Sequence, residues 1–173
     1  MKETLKDLKE RRSCRKYTSE QITDEQLNQI LEAGTYAPTG RGAQAPCIVV
    51  TQDAELIAKI SKMNAAVMNS DKDPFYGAPT LLIVFSDPDR PTYLYDGALV
   101  MGNLMNAAQA VGVASCYIFR AKEVFETEEG KALMKEWGVP GNYEGIGNCI
   151  LGYAAEGAIA PAAPRKENYI IRV

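Results

Sequence analysis

Residues 81–85 read Leu-Leu-Ile-Val-Phe, an unbroken apolar run entered from a polar loop, 70–79, that carries Pro74 and Pro79. Five such residues are too few for a helix and suit a strand, and this is the firmest strand signal in the chain. A second run, Cys-Ile-Val-Val-Thr at 47–51, reads as a buried strand. Residues 113–118 and 148–153 read as further strands, and the tail 169–173, Tyr-Ile-Ile-Arg-Val, as a last short one. Helical spacing fills the gaps. Leu5 and Leu8 mark a short helix over 4–12. The run from Thr23 to Gln26 is a capping box ahead of Leu27, Ile30 and Leu31, with Gly34 as the stop. Asp53 can cap a helix carrying Leu56, Ile57, Ile60 and Met63, and an amphipathic helix is expected around 127–137. The stretch 94–112 is apolar nearly all round and rich in Gly and Ala, which fits a buried helix that a neighbour can approach closely. Strands and helices alternate without linker, repeat or low-complexity tract. The pattern predicts an α/β or α+β fold, with 1–173 as one domain.

Composition narrows the function. The chain has 173 residues, 46% hydrophobic and 24% charged, with 19 Lys+Arg against 22 Asp+Glu. Those are ordinary globular values. No apolar run approaches the ~20 residues of a membrane span, and the charged first residues are not those of a secretory signal. Four scattered cysteines (Cys14, Cys47, Cys116, Cys149) form no Cys-x-x-Cys motif, so idle thiols in a reducing compartment, the cytoplasm, are expected. There is no histidine. That removes Ser-His-Asp and Cys-His nucleophilic systems in their usual form and His-ligated metals. With no metal site and no protein catalytic group in view, the chemistry is expected to come from an organic cofactor.

Against a mildly acidic background, Arg11, Arg12, Ser13 and Arg15 crowd into five positions. Guanidiniums offer planar forks of donors that match phosphate oxygens, and the serine adds a short hydroxyl. The competing reading is a solvated charge run at the end of the first helix. A nucleic-acid contact is disfavoured by the net charge of −3 and by the shortness of this one basic run.

The motif Arg11-Arg12-Ser13-x-Arg15-x-Tyr17 resembles the opening motif of the FMN-dependent nitroreductase family. Other elements agree in order: residues 37–46, Ala-Pro-Thr-Gly-Arg-Gly-Ala-Gln-Ala-Pro, stand where the family has a Pro-Ser-Ser/Gly-x-Asn-x-Gln loop. Ala78-Pro79 precedes a strand, and a small-residue helix opens at Asp96. The run 112–117, then Leu151-Gly152-Tyr153 and the late Pro164-Arg165-Lys166 complete the set. The resemblance spans essentially the whole chain. It departs at Gly42, where the family has Asn, at Thr39 for Ser, and at Ala163, where the family often has Lys.

The resemblance implies an α+β fold, a three-layer α/β/α sandwich whose mixed, mostly antiparallel sheet is flanked by helices. It implies a homodimer with FMN at the subunit interface. Arg11 and Arg15 would face the flavin N1 and O2 edge, with Arg12, Ser13 and Arg165 nearer the phosphate. Two or three Arg contacts are proportionate to a phosphate that is nearly dianionic at neutral pH. Tyr117, Ile118 and Phe119 match the stretch whose backbone lies along the ring, although the end of a core strand explains them equally well. Pro38, Thr39, Gly40 and Gln44 would come from the partner subunit, and Asn64 is a further ribityl or ring candidate. The implied activity is oxidation of NADH or NADPH and reduction of a nitroaromatic, quinone or similar small-molecule acceptor. The rival is a protein that binds, stores or senses FMN without turnover. The segment 62–78 is short for a substrate lid, so an open site is expected.

Overall fold

The computed structural model describes residues Met1–Val173. The elements run α1 (Glu3–Glu10), α2 (Asp24–Thr35), β1 (Cys47–Thr51), α3 (Ala54–Val67), β2 (Thr80–Ser86), α4 (Tyr93–Ala110), β3 (Ala114–Ile118), α5 (Ala121–Glu126), α6 (Glu128–Glu136) and β4 (Glu144–Gly152). The sheet order is β1-β2-β4-β3, and every neighbouring pair is antiparallel. A single isolated bridge, Ser13 with Ser115, is parallel.

β2 is buried along its whole length, which requires cover on both faces. Leu81, Ile83 and Phe85 join a core with Ile57 and Ile60 of α3, Val124 and Phe125 of α5, and Leu133 and Met134 of α6. Leu82 and Val84 point the other way, into a core with Leu27 and Ile30 of α2 and Val100, Met101 and Leu104 of α4. Strand alternation thus sorts one sequence run into two cores, and the fold is the expected α+β sandwich of three layers.

Side-chain caps set three of the six helix starts. The Thr23 hydroxyl accepts from the Gln26 N–H while the Gln26 side chain accepts from the Thr23 N–H. The Asp53 carboxylate accepts from the N–H groups of Glu55 and Leu56. Thr127 ends α5 and caps α6, its hydroxyl accepting from the Gly130 N–H.

Several expectations are corrected. α1 stops at Glu10, because Arg11 is already extended (φ −51°, ψ 130°). Gly34 lies inside α2 and does not end it. Its missing side chain admits α4, since a Cβ there would stand 2.6 Å from Leu104 Cδ2. The helix expected at 127–137 is preceded by α5, a six-residue turn too short to show a period, which buries Ala121, Val124 and Phe125. α4 is buried on one side only, leaving Leu94, Tyr95 and Leu99 exposed. The tail 169–173 forms no strand with its own chain, and Tyr169, Ile170, Ile171 and Val173 are exposed. The four-stranded sheet offers it no partner within this chain.

Candidate functional site

After α1 the chain runs extended along the β3 edge of the sheet. The Cys14 N–H donates to the Ser115 carbonyl at 2.9 Å, Tyr17 bridges to Ala154, and the Thr18 N–H donates to Tyr153. Cys14 is fully buried and the Tyr17 hydroxyl donates to its carbonyl, so the segment is pinned from both sides of the sheet plane. This is how Arg11, Arg12 and Ser13 come to stand beside Ser115.

The guanidiniums are only half satisfied. Arg12 Nη1 donates to the carbonyls of Lys9 (2.9 Å) and Arg11 (2.6 Å), but Arg12 Nε is buried with no partner. Arg11 Nη1 and Ser115 Oγ are likewise buried and unpartnered. Orphaned buried donors are rare, and two charged ones on one extended segment make it a candidate anion site. The charge is felt inside. Burial pushes the Cys116 thiol up, against a hydrogen bond from Ser13 and the nearby Arg15 and Arg11 charges. Burial also pushes Cys149 up to about 12, with the Cys116 thiol raising it further and Arg11 opposing. Both thiols are therefore held neutral, which excludes them as nucleophiles.

Arg15 lines a cavity of about 310 Å³ together with Cys116, Tyr117, Ile118, Phe119 and Arg120, closed on the other side by residues between Met68 and Tyr76. The sequence-expected Tyr117–Phe119 stretch and Arg15 thus share one space. Asn64 is fully buried behind it. Its Nδ2 donates to the Phe119 carbonyl at 2.9 Å and its Oδ1 accepts from Arg120 Nε at 3.3 Å.

Pro38, Thr39, Gly40 and Gln44 are not there. Their loop leads into β1, the opposite edge strand. It is held by the Gln44 N–H donating to Thr39 Oγ1 and the Gly40 N–H donating to Asp96 Oδ1, each at 3.0 Å. Asp96, buried in the first turn of α4, also accepts from Thr92 Oγ1. The loop turns through left-handed residues at Arg41, Gly42 and Gln44, and Thr39 and Gln44 line a separate groove of about 430 Å³ with Ile48, Val50 and Val100. Arg165 sits on the exposed tail, where its guanidinium donates twice to the Ala163 carbonyl.

Three contributors escaped sequence reasoning. Ser115 and Asp96 act through position alone. Arg120 follows directly on the Tyr117–Phe119 stretch, a proximity that could have singled it out, but its left-handed backbone (φ 75°) is unusual for Arg and invisible in the sequence.

The model of the nitroreductase family matches residues 8–74. An Archaeoglobus fulgidus protein named for NADH dehydrogenase/NAD(P)H nitroreductase activity is 31% identical over 159 residues, covering 88% of this chain and 86% of that one. A Bacteroides fragilis nitroreductase solved with bound FMN is 32% identical, covers 100% of both chains and superposes with a TM-score of 0.92. A Desulfitobacterium hafniense nitroreductase with bound FMN is 28% identical, with 100% of this chain and 99% of that chain covered and a TM-score of 0.89.

Proposed function

The chain belongs to the nitroreductase family, and from that premise we propose that it is a single-domain, FMN-dependent NAD(P)H oxidoreductase acting on nitroaromatic, quinone or similar electrophilic acceptors. The observation that carries the reading is the pair of buried, unpartnered guanidinium nitrogens, Arg11 Nη1 and Arg12 Nε, beside the unpartnered Ser115 hydroxyl. FMN offers a phosphate for Arg12 and an electron-rich ring edge for Arg11, and nothing else in the chain satisfies these donors. Arg12 and Ser13, with Arg165, would hold the phosphate end, and Arg11 and Arg15 would face the N1 and O2 edge of the ring. The backbone from Tyr117 to Phe119 would lie along the ring, with Asn64 behind it. When bound, FMN would supply the redox chemistry, a ping-pong relay of hydride from NADH or NADPH through N5 to the acceptor.

A homodimer is part of the proposal. Pro38, Thr39, Gly40 and Gln44 lie at the edge of the sheet opposite Arg15, so a second copy is needed to bring such a loop to the flavin. The exposed apolar face of α4 and the exposed tail fit burial against that copy. No helix is long and apolar enough to cross a membrane. Four free cysteines fit a reducing compartment, and we place the protein in the cytoplasm.

The test is spectroscopic. The purified protein should show flavin absorption, release one FMN per chain on denaturation, and bleach anaerobically with NADH or NADPH. A colourless protein that takes up no added FMN would refute the cofactor reading. Bound flavin that neither nucleotide bleaches would leave a storage or sensing role in its place.

A further inference from the structure

The 310 Å³ cavity beside β3 carries more positive charge than the family-derived site requires. Arg15, Lys72 and Arg120 all line it, from three separate segments of the chain. Asp73 is the one carboxylate among the lining residues. Its oxygens are already taken, by Ser61 Oγ and the Phe75 N–H on one and by the Gly77 N–H on the other. Three cations against one carboxylate leave the lining net positive, which favours entry of something negative.

Arg120 is the member placed there at a cost. It starts α5 in the left-handed region (φ 75°, ψ 17°), where a glycine would rest more easily. Asn64 holds it. The amide oxygen of this fully buried side chain takes the Arg120 Nε–H while its nitrogen grips the Phe119 carbonyl, so one residue holds both the guanidinium and the backbone just before it. The guanidinium is thereby oriented along a direction set from α3, and none of its remaining donors is paired within the chain. Strain kept at a well-anchored cation on a cavity wall points to a role in the cavity.

Resting on the FMN reading, we propose that Arg120, positioned by Asn64, is a further guanidinium on the flavin ring beside Arg11 and Arg15, making this pocket favour the ring when it carries negative charge. Asn64 is then a positioning residue that acts through Arg120. Reduction and adduct formation at N5 both put negative charge on the pyrimidine edge of a flavin, so each should be favoured by Arg120 acting with Arg11 and Arg15.

Sulfite tests this without turnover, because it adds to N5 of oxidised flavin and leaves that charge behind. The FMN-loaded protein should bind sulfite, and Arg120→Met should weaken that binding by about tenfold or more, with oxidised FMN still held. A tenfold loss in preference for the reduced ring would appear as a fall of about 30 mV in the two-electron midpoint potential. Arg120→Lys should recover most of both. Asn64→Ala should reproduce part of the loss in the wild-type background and add almost nothing to Arg120→Met. Arg120→Gly separates function from folding: it should lose sulfite affinity like Arg120→Met while melting higher than Arg120→Met, since both leave the Asn64 oxygen unpaired and only glycine relieves the left-handed strain. Arg120→Met that takes up FMN and keeps wild-type sulfite affinity and potential would overturn the assignment and leave the FMN reading intact. A wild-type protein that takes up no FMN would overturn both before any sulfite is added.

Discussion

The two edges of the sheet are finished in opposite ways. Along β3 the chain covers its own edge: the segment from Ser13 to Tyr17 docks on Ser115 and Ala154, burying Cys14 and bringing the arginines to the strand. Along β1 nothing docks. Val50 is 41% exposed, and β1 pairs on one side only, with β2. An open edge with an apolar residue on it is a template for another chain. This molecule also carries an apolar tail without a partner, with Ile170 at 76% and Ile171 at 81% exposure. The arginines of the candidate site gather within one chain because they stand where the chain seals its own edge. The loop half sits by the unsealed edge, which is why the proposed function includes a second copy.

Removing residues 169–173 strikes the open edge and should have the largest effect. We expect a monomer by light scattering and an FMN affinity lower by about 100-fold, or 2.7 kcal/mol. A truncated chain that stays dimeric and yellow would show that the tail is no part of the interface. Leu82→Ala cuts the strand between the edges and should damage both together, lowering unfolding stability by about 2–5 kcal/mol in urea denaturation, since Leu82 is fully buried. Arg12→Ala should affect the closed edge alone. Loss of one charge-assisted contact predicts FMN binding weaker by about 1.5–3 kcal/mol by titration, with the oligomeric state unchanged.

The thiols behind the closed edge predict a pH effect. Burial raises Cys149 from 9.0 to about 12, so the unfolded chain loses this proton first. Its contribution to stability is complete below about pH 9 and falls as pH rises towards 12, by about 1.4 kcal/mol per pH unit. Chemical denaturation across that range should show a shallower decline in Cys149→Ala. The smallest effect is expected at the start of α2, where Thr23→Ala removes a capping hydroxyl and should cost about 1 kcal/mol, with flavin binding unmoved.

Much of this was legible beforehand. The runs at 47–51 and 81–85 lie within strands, and the Thr23 and Asp53 caps start helices, because these signals act over three or four residues. The arginine cluster stood out as a candidate anion site from residue type alone. Where reading failed, a distant contact had decided the matter. Gly34 looked like a helix stop and is a contact point for Leu104. The tail has a strand's composition, but pairing needs an edge that its own chain does not offer.

The sequence by itself therefore determined most of the elements, the Thr23 and Asp53 caps and the donor types of residues 11–15, since period, capping and donor type are local properties. Only the tertiary structure decided that those arginines would close one edge of the sheet while the Pro38–Gln44 loop stood at the other. It alone set Arg120 in a left-handed turn against Asn64, 55 residues from the Phe119 carbonyl that the same amide grips. Such choices depend on which distant groups a folded chain brings within hydrogen-bonding reach, and no short-range pattern encodes that.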